Sequence, residues 1–308
     1  MPEGSFPGYS IILQGGAADT MSEHRQSERA PVPISVIIPC FNAAGTIERA
    51  LSSVLGQTVL PREIILIDDA SEDNGKTAQK LQELKERYGH VVRIETINLP
   101  TNGGPATARN AGWDTATQPY IAFLDADDAW HPLKLAVQYA WMDDHPLVAL
   151  SGHPCVQLLP GQPMPVLPQT WRAHRTGKTH LLFSNRFQTP SVMLRRNIPF
   201  RFRQGMKYCE DYLLWQQIVF SGHEAYRLDL PLAFLFKPPF GEGGLSRNLW
   251  QLSKGEMTTF TLIRAEGLIS NPTRMFITAY IFLKYIRRLF ISLLSGRLFF
   301  GKPERGKE

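Results

Sequence analysis

The chain has few cysteines, no glycine fingerprint behind its first strand and no long apolar run, and each shortage removes a class of protein. Cys40, Cys155 and Cys209 are an odd count in 308 residues and lack metal-type spacing. That excludes a disulfide scaffold and a zinc module and leaves reduced cytosolic thiols as the expectation. The turn after the first predicted strand reads Cys40-Phe41-Asn42-Ala43-Ala44-Gly45, without the first two glycines of Gly-x-Gly-x-x-Gly. A dinucleotide-dependent dehydrogenase would want those glycines so that its backbone could approach a pyrophosphate. No stretch reaches the ~18 uncharged apolar residues of a spanning helix. Residues 1–30 lack a basic start followed by an apolar core, so no secretion signal is read there.

Composition is that of a soluble globular chain, 43% hydrophobic and 20% charged. The net charge of +5 is uneven: from Pro272 onward eight Lys and Arg face two Glu, so the tail is +6 and the remainder close to −1. Basicity confined to a tail does not indicate a nucleic-acid partner. Residues 1–30, rich in Gly, Ser and Glu, read as a disordered extension, with Met21 the suspected true start. The length suits one large α/β domain or two smaller ones, and no internal repeat is visible.

What is present is a series of apolar runs that stop on polar turns. Ile34–Pro39 reads as a buried strand closed by the Cys40-Phe41-Asn42 turn, and Ile47, Ala50, Leu51, Val54 and Leu55 follow at helical spacing. Glu63–Ile67 is a second strand, ending on Asp68-Asp69-Ala70-Ser71; a helix over 73–88 buries Ala78, Leu81 and Leu84. Val91–Ile97 is a third strand, Asn102-Gly103-Gly104 a turn, and Pro105–Thr115 a helix. Tyr120–Leu124 is a fourth strand; it runs into Asp125, Asp127 and Asp128, with Pro132 expected to open a helix to Asp143. This β-α-β-α-β-α-β order predicts a parallel sheet with helices on both faces. Right-handed crossovers bring the strand ends to one side, so Asn42, Asp68, Asp69, Asn102 and the acidic turn gather along one edge. Open α/β sheets bind ligands there. Three carboxylates within four residues repel unless a cation joins them. A hard divalent ion with oxygen ligands suits them and also holds phosphates.

Downstream the pattern loosens. Strands are expected at Val148–Ser151, Ser191–Arg195 and Tyr226–Phe236, a surface loop over 153–170, and a glycine-rich loop at Phe240–Ser246. Cys209-Glu210-Asp211 opens a helix with Leu213, Leu214, Ile218 and Val219 on its apolar side, and helices over 249–266 and 273–295 end the ordered chain.

Val36-Ile-Ile-Pro-Cys-Phe-Asn42, Leu66-Ile-Asp-Asp-Ala-Ser-Glu-Asp73, Ala108-Arg-Asn-Ala-Gly112, Phe123-Leu-Asp-Ala-Asp-Asp128 and Glu210-Asp-Tyr-Leu-Leu-Trp215 together resemble family 2 inverting glycosyltransferases. The resemblance spans about Ile34 to Phe236 and implies a GT-A-type, Rossmann-like, mostly parallel sheet flanked by helices, followed here by C-terminal amphipathic helices. It implies a nucleotide-sugar donor, usually UDP-linked; the charge distribution above adds no nucleic acid as a partner. By this resemblance Asp68 and Asp69 bind base and ribose, Pro39 and Asn42 line the same pocket, and Arg109 lies beside the base or the phosphates. The acidic turn would hold Mn²⁺ or Mg²⁺ on the diphosphate through Asp125, Asp127 and Asp128. Asp127 is the favoured principal ligand, with Asp125 toward the ribose. Asp211 would be the base that activates an acceptor hydroxyl on a glycan or lipid-linked acceptor in cell-surface polysaccharide synthesis.

Plainer readings compete at each position. Asp68 and Asp69 could form an ordinary strand-end turn with Ser71 as a helix cap. Asp211 could be only a first-turn acid, and Arg109 a solvated helix residue. Asn102-Gly-Gly, His131, Trp215 and Cys40 read better as structural. A non-catalytic nucleotide-sugar binder on the same fold is the main rival; an aspartate-nucleophile phosphatase is weaker, because its Asp-x-Asp usually follows the first strand. Residues 31–245 are read as the catalytic domain, divided into a nucleotide-sugar half (31–150) and an acceptor half (151–245), with 246–308 a helical tail. In the tail Met275, Phe276, Ile277, Tyr280, Ile281 and their successors form a broad apolar surface, with Lys284 and Arg288 on the opposite stripe. With the Leu298-Phe299-Phe300 step, this predicts peripheral contact through 272–300 with the inner face of a membrane, from the cytoplasm; the alternative is a terminal helix packed on the catalytic domain or on a partner subunit.

Overall fold

Four apolar strands, β1 (Val32–Cys40), β2 (Pro61–Asp68), β3 (Arg93–Asn98) and β4 (Tyr120–Phe123), alternate with α1 (Ile47–Leu55), α2 (Lys76–Tyr88) and α3 (Gly104–Thr115). The computed structural model describes residues 9–10, 30–159, 162–236 and 249–294, with side chains in the last helix as far as Phe290. Apart from Tyr9–Ser10 and Ala30, the expected extension 1–30 lies outside the described residues, as do the Phe240–Ser246 loop and the Leu298-Phe299-Phe300 step. After β4 come β5 (Ala129–Trp130), α4 (Lys134–Asp143), β6 (Val148–Gly152), β7 (Cys155–Gln157), β8 (Ala173–Arg175), α5 (Lys178–Phe183) and β9 (Met193–Arg195). Then follow α6 (Glu210–Phe220), β10 (Glu224–Leu228), β11 (Ala233–Leu235), α7 (Leu249–Ala265) and α8 (Asn271–Leu294).

The main sheet has eight strands in the order β8-β10-β6-β9-β4-β1-β2-β3. β1 is parallel to β2 and β4, and β2 to β3. β9 enters antiparallel between β4 and β6. Side chains alternate across β1: Ile34, Val36 and Ile38 pack on the α1 side with Leu51 and Val54, whereas Ile37 joins Ile65, Ile67 and Phe123 on the α3 and α6 side. α3 approaches that second face closely because Gly112 has no side chain; a Cβ there would lie 2.6 Å from Ile37 Cγ2 and 2.8 Å from Ile67 Cδ1. Residues of α7 and α8 (Phe260, Ile263, Ile277 and Ile281) close the same core.

Three expectations change in detail. The helix expected from Pro132 begins at Lys134, and His131 Nδ1 accepts the Leu133 N–H in the preceding turn (3.2 Å). The expected single strand Tyr226–Phe236 is two. β10 joins the main sheet, Pro231, which lacks an N–H, sits in the break, and β11 pairs in a small sheet with β5 and β7. The loop over 153–170 contains β7, whose three residues find a partner only 78 positions later, at Ala233–Leu235.

Candidate active site

The carboxyl ends of β1, β2 and β4 turn out on one side, and hydrogen bonds tie their loops together. Asp68 closes β2 and is buried; its Oδ1 accepts the N–H of Ser71 (3.1 Å) and the Ser71 hydroxyl (2.5 Å). The Ser71 hydroxyl also receives the Asn42 N–H (2.9 Å), and Asn42 Oδ1 accepts from Glu72 N–H (2.9 Å). Ser71 is therefore a hub between two strand ends and not a helix cap. Asp73 does the capping, accepting from the Thr77 N–H (3.0 Å) and hydroxyl (2.6 Å). Asp69 Oδ1 accepts the Gly103 N–H (2.9 Å), which brings the Asn102-Gly-Gly turn to the same edge. Burial raises the Asp69 carboxyl above its ordinary range, against the hydrogen bonds from Gly103 and Gly104. Pro39 stands half-buried in β1 opposite Ile67 of β2.

The second half of the site is built around Arg109. This α3 residue is buried, not solvated: Nη2 donates to Asp125 Oδ1 (2.8 Å) and Nη1 to Glu210 Oε1 (3.0 Å). The Asn110 side chain beside it is pinned to the Phe202 backbone, Nδ2 donating to the carbonyl (2.7 Å) and Oδ1 accepting the N–H (3.0 Å), which fixes the helix face. Arg109 Nε is buried and has no hydrogen-bond partner among the described residues. One guanidinium thus joins the acidic turn after β4 to the first turn of α6, 101 residues away from it in the chain.

Next to Glu210, Asp211 accepts the Asn185 side-chain N–H on Oδ2 (3.1 Å) and the Tyr212 N–H on Oδ1 (2.7 Å). Burial pushes both carboxyls up, Glu210 to about 7 with the neighbouring Asp211 charge adding to it, while Arg109 opposes the rise in each. Cys209, which precedes them, has φ 61°; Asn42 and Ala70, at the other edge, each have φ 51°. Left-handed backbone at non-glycine residues is costly, and here it flanks the candidate site on both sides.

The acidic turn differs from the sequence expectation. Asp125, Asp127 and Asp128 do not converge on one point, and among the described residues no three His, Cys, Asp or Glu are placed to hold a metal ion. The reason is local: Asp125 is committed to Arg109, the Asp128 N–H folds back onto the Asp125 carbonyl (3.0 Å), and Arg49 holds the Asp127 carbonyl (2.5 Å). Among the described residues there is no preassembled cage. The donor set still fits an ion that arrives with a diphosphate, because Mg²⁺-type ions take one or two carboxylates and complete their shell with phosphate oxygens and water.

Four contributors were not assigned roles from sequence. Glu210 lay within a quoted motif, so its signal was available. Ser71 was read only as a cap. Asn185 and Arg49 carry no local signal, since each acts on a residue 26 or 78 positions distant.

The raised carboxyl of Glu210 has a stability consequence. In the folded chain it holds a proton that the unfolded chain has released, so its contribution to stability falls as pH rises from about 4.5 to about 7. Buried His153, lowered to about 3, and His131, also lowered, act in the opposite sense, with stability rising as the unfolded histidines deprotonate near 6.5. Thermal melts of wild type and Glu210→Gln from about pH 5 to pH 7.5 separate the two effects. The variant should gain on wild type as pH rises. A difference that stays constant would show that Glu210 titrates normally.

The fold is of the GT-A type. The description "Glycosyl transferase family 2" matches residues 35–201, and the chain belongs to that family. It is 28% identical over 262 residues to the amylovoran biosynthesis glycosyltransferase AmsB of Erwinia amylovora, covering 81% of this chain and 82% of that one. It is 43% identical over 102 residues, 33% of its own length, to an uncharacterised glycosyltransferase of Nostoc sp., and spans only 30% of that relative. Among solved structures it is similar to S. aureus TarS (residues 1–349) in complex with UDP-GlcNAc, with TM-score 0.61, 20% identity and coverage of 81% and 71%. It is also similar to the mannosyltransferase PcManGT of Pyrobaculum calidifontis in complex with GDP-Man and Mn²⁺, with TM-score 0.57, 18% identity and coverage of 88% and 79%. Among the described residues no helix is long and apolar enough to cross a membrane.

Proposed function

We propose that this chain moves a sugar, with inversion, from a UDP-sugar to a hydroxyl of a glycan or lipid-linked acceptor in cell-surface polysaccharide synthesis. The observation that carries this reading is the Arg109 bridge: it places a strand-end acidic turn and a helix-borne carboxylate pair around one buried cation. Pro39, Asn42, Asp68 and Asp69 form the base and ribose side. Asp125, oriented by Arg109, faces the ribose. Asp127 would hold Mn²⁺ or Mg²⁺, with Asp128 the neighbouring candidate, and the ion would offset charge developing on the leaving diphosphate. The Mn²⁺ bound with PcManGT supports that choice.

Asp211 takes the proton from the acceptor hydroxyl. Direct displacement needs no covalent intermediate and no activated Ser or Cys. Burial holds the Cys40, Cys155 and Cys209 thiols well above their ordinary range, so they stay protonated. In this reading residues 31–150 bind the donor and 151–245 the acceptor, and the tail 246–308 keeps the enzyme peripheral to the inner face of the membrane through 272–300.

Asp127→Ala should abolish metal-stimulated binding of UDP and turnover, measured by calorimetry and by product release from a panel of UDP- and GDP-sugars. Full turnover in excess chelator would overturn the metal assignment. Binding without any transfer or hydrolysis across the panel would favour the non-catalytic binder.

A further inference from the structure

The tail helix sits in the structure the other way round from the sequence expectation. Lys284 and Arg288 do not line a free cationic stripe. They share the inward face of α8 with buried Ile277 and Ile281, because Glu256 of α7 lies there, at 2.6 Å from Lys284 and 3.7 Å from Arg288. The opposite face is mostly apolar and exposed, with Arg287, also exposed, at its edge. Met275, Phe276, Phe282, Leu283 and Phe290 are each between 50% and 66% exposed. Ala279 is exposed and Ile286 half-buried on the same side. At 100° per residue these seven fall on one continuous stripe, ~22 Å long from Met275 to Phe290. A soluble surface helix normally shows the reverse arrangement, polar outward and apolar inward.

We propose that this outward stripe of α8 rests on an anionic lipid surface, the helix lying in the plane of the interface. The proposal names the surface for the peripheral contact put forward above, and rests on that reading. Charge decides the occupant. Leaving out Lys284 and Arg288, which Glu256 holds inward, the sequence from Pro272 onward still has Arg274, Arg287, Arg297, Lys302, Arg305 and Lys307 against Glu304 and Glu308, net +4. A second copy docked on the stripe would bring two such like-charged segments together; an anionic bilayer opposes them with the other sign. The helix is not apolar enough to span, but aromatic and aliphatic side chains on one face are what an in-plane helix needs. The stripe also adjoins the candidate site. Phe183 packs edge-on against Phe276 and Tyr280 (ring centroids 6.5 and 5.2 Å), and Asn185, two residues on, donates to Asp211.

The test is flotation of the full chain with phosphatidylcholine vesicles containing about 30% phosphatidylglycerol. Wild type should float, and higher salt should release it only in part, because apolar contact carries most of the binding. Phe282→Ser/Leu283→Ser should bind about tenfold more weakly or worse, from the apolar area withdrawn. Both positions are exposed, so the melting temperature should stay that of wild type. A second double variant, Met275→Ser/Phe290→Ser, should behave alike. Wild type that ignores vesicles overturns the proposal. So does a dimer, seen by sedimentation, that the serine variants dissociate, since it would assign the stripe to a second copy. UDP binding, measured without vesicles, reports on the transferase reading alone: its absence in a protein that floats would sink that reading and leave the docking surface standing.

Discussion

Asp211→Asn should bind the donor like wild type and turn it over about 10²–10⁴ times more slowly, the range associated with a positioned general base. The amide keeps the shape of the carboxylate, and its oxygen can still accept either from Asn185 or from the Tyr212 N–H. What it loses is the ability to take a proton. The loss should fall on kcat, with the KM of the donor little changed, because donor contacts are assigned to the opposite edge. Glu210 is the natural rival, being adjacent and raised to about 7. Its Oε1, however, already accepts from Arg109, so Glu210 is better suited to hold that guanidinium than to meet an acceptor. Near wild-type turnover in Asp211→Asn together with collapse in Glu210→Gln would transfer the assignment.

Arg109→Ala should cost the fold about 3–5 kcal/mol, the loss seen when one member of a buried ion pair is removed. Most of that belongs to Glu210, which is about one-tenth exposed and would be left without its cation; Asp125 is about a third exposed and can turn to water. Arg109→Lys should recover only part of the loss, since a single ammonium cannot reproduce the forked contact to two carboxylates. Urea unfolding read as a shift in midpoint at constant slope measures both variants. A shift worth less than about 1 kcal/mol for Arg109→Ala would mean that Glu210 finds a proton or a water instead.

The first half of the fold was legible because its strands announce themselves. β1, β2 and β4 are short apolar runs bounded by Pro, Asn and Asp, and their order with three helical segments leaves few topologies open. The loop residues at the strand ends followed from that order alone. Beyond Gly152 the signals are long-range. β7 and β11 are three residues each and acquire their identity from one another. The orientation of α8 was beyond reach for a related reason. Its sequence has two plausible inner faces, and the choice is made by Glu256, a single acid on a different helix. At the site, the commitment of Asp125 to Arg109 likewise depends on side chains that only the packed α3 brings together.

The antiparallel insertion of β9 has a consequence for synthesis on the ribosome. Residues up to about 150 can form a parallel core as they emerge, yet β4 then has an open flank, since its neighbour on that side is Met193–Arg195. β6 waits for the same three residues. The β4 flank therefore stays unpaired until 43 further residues have been made, counted from Gly152 to Arg195, and the other flank of β6 until Glu224–Leu228 follows. A stop within that interval would release a fragment with unpaired strand edges. A cut after Gly152 would separate β4 and β6 from the strand that pairs with both.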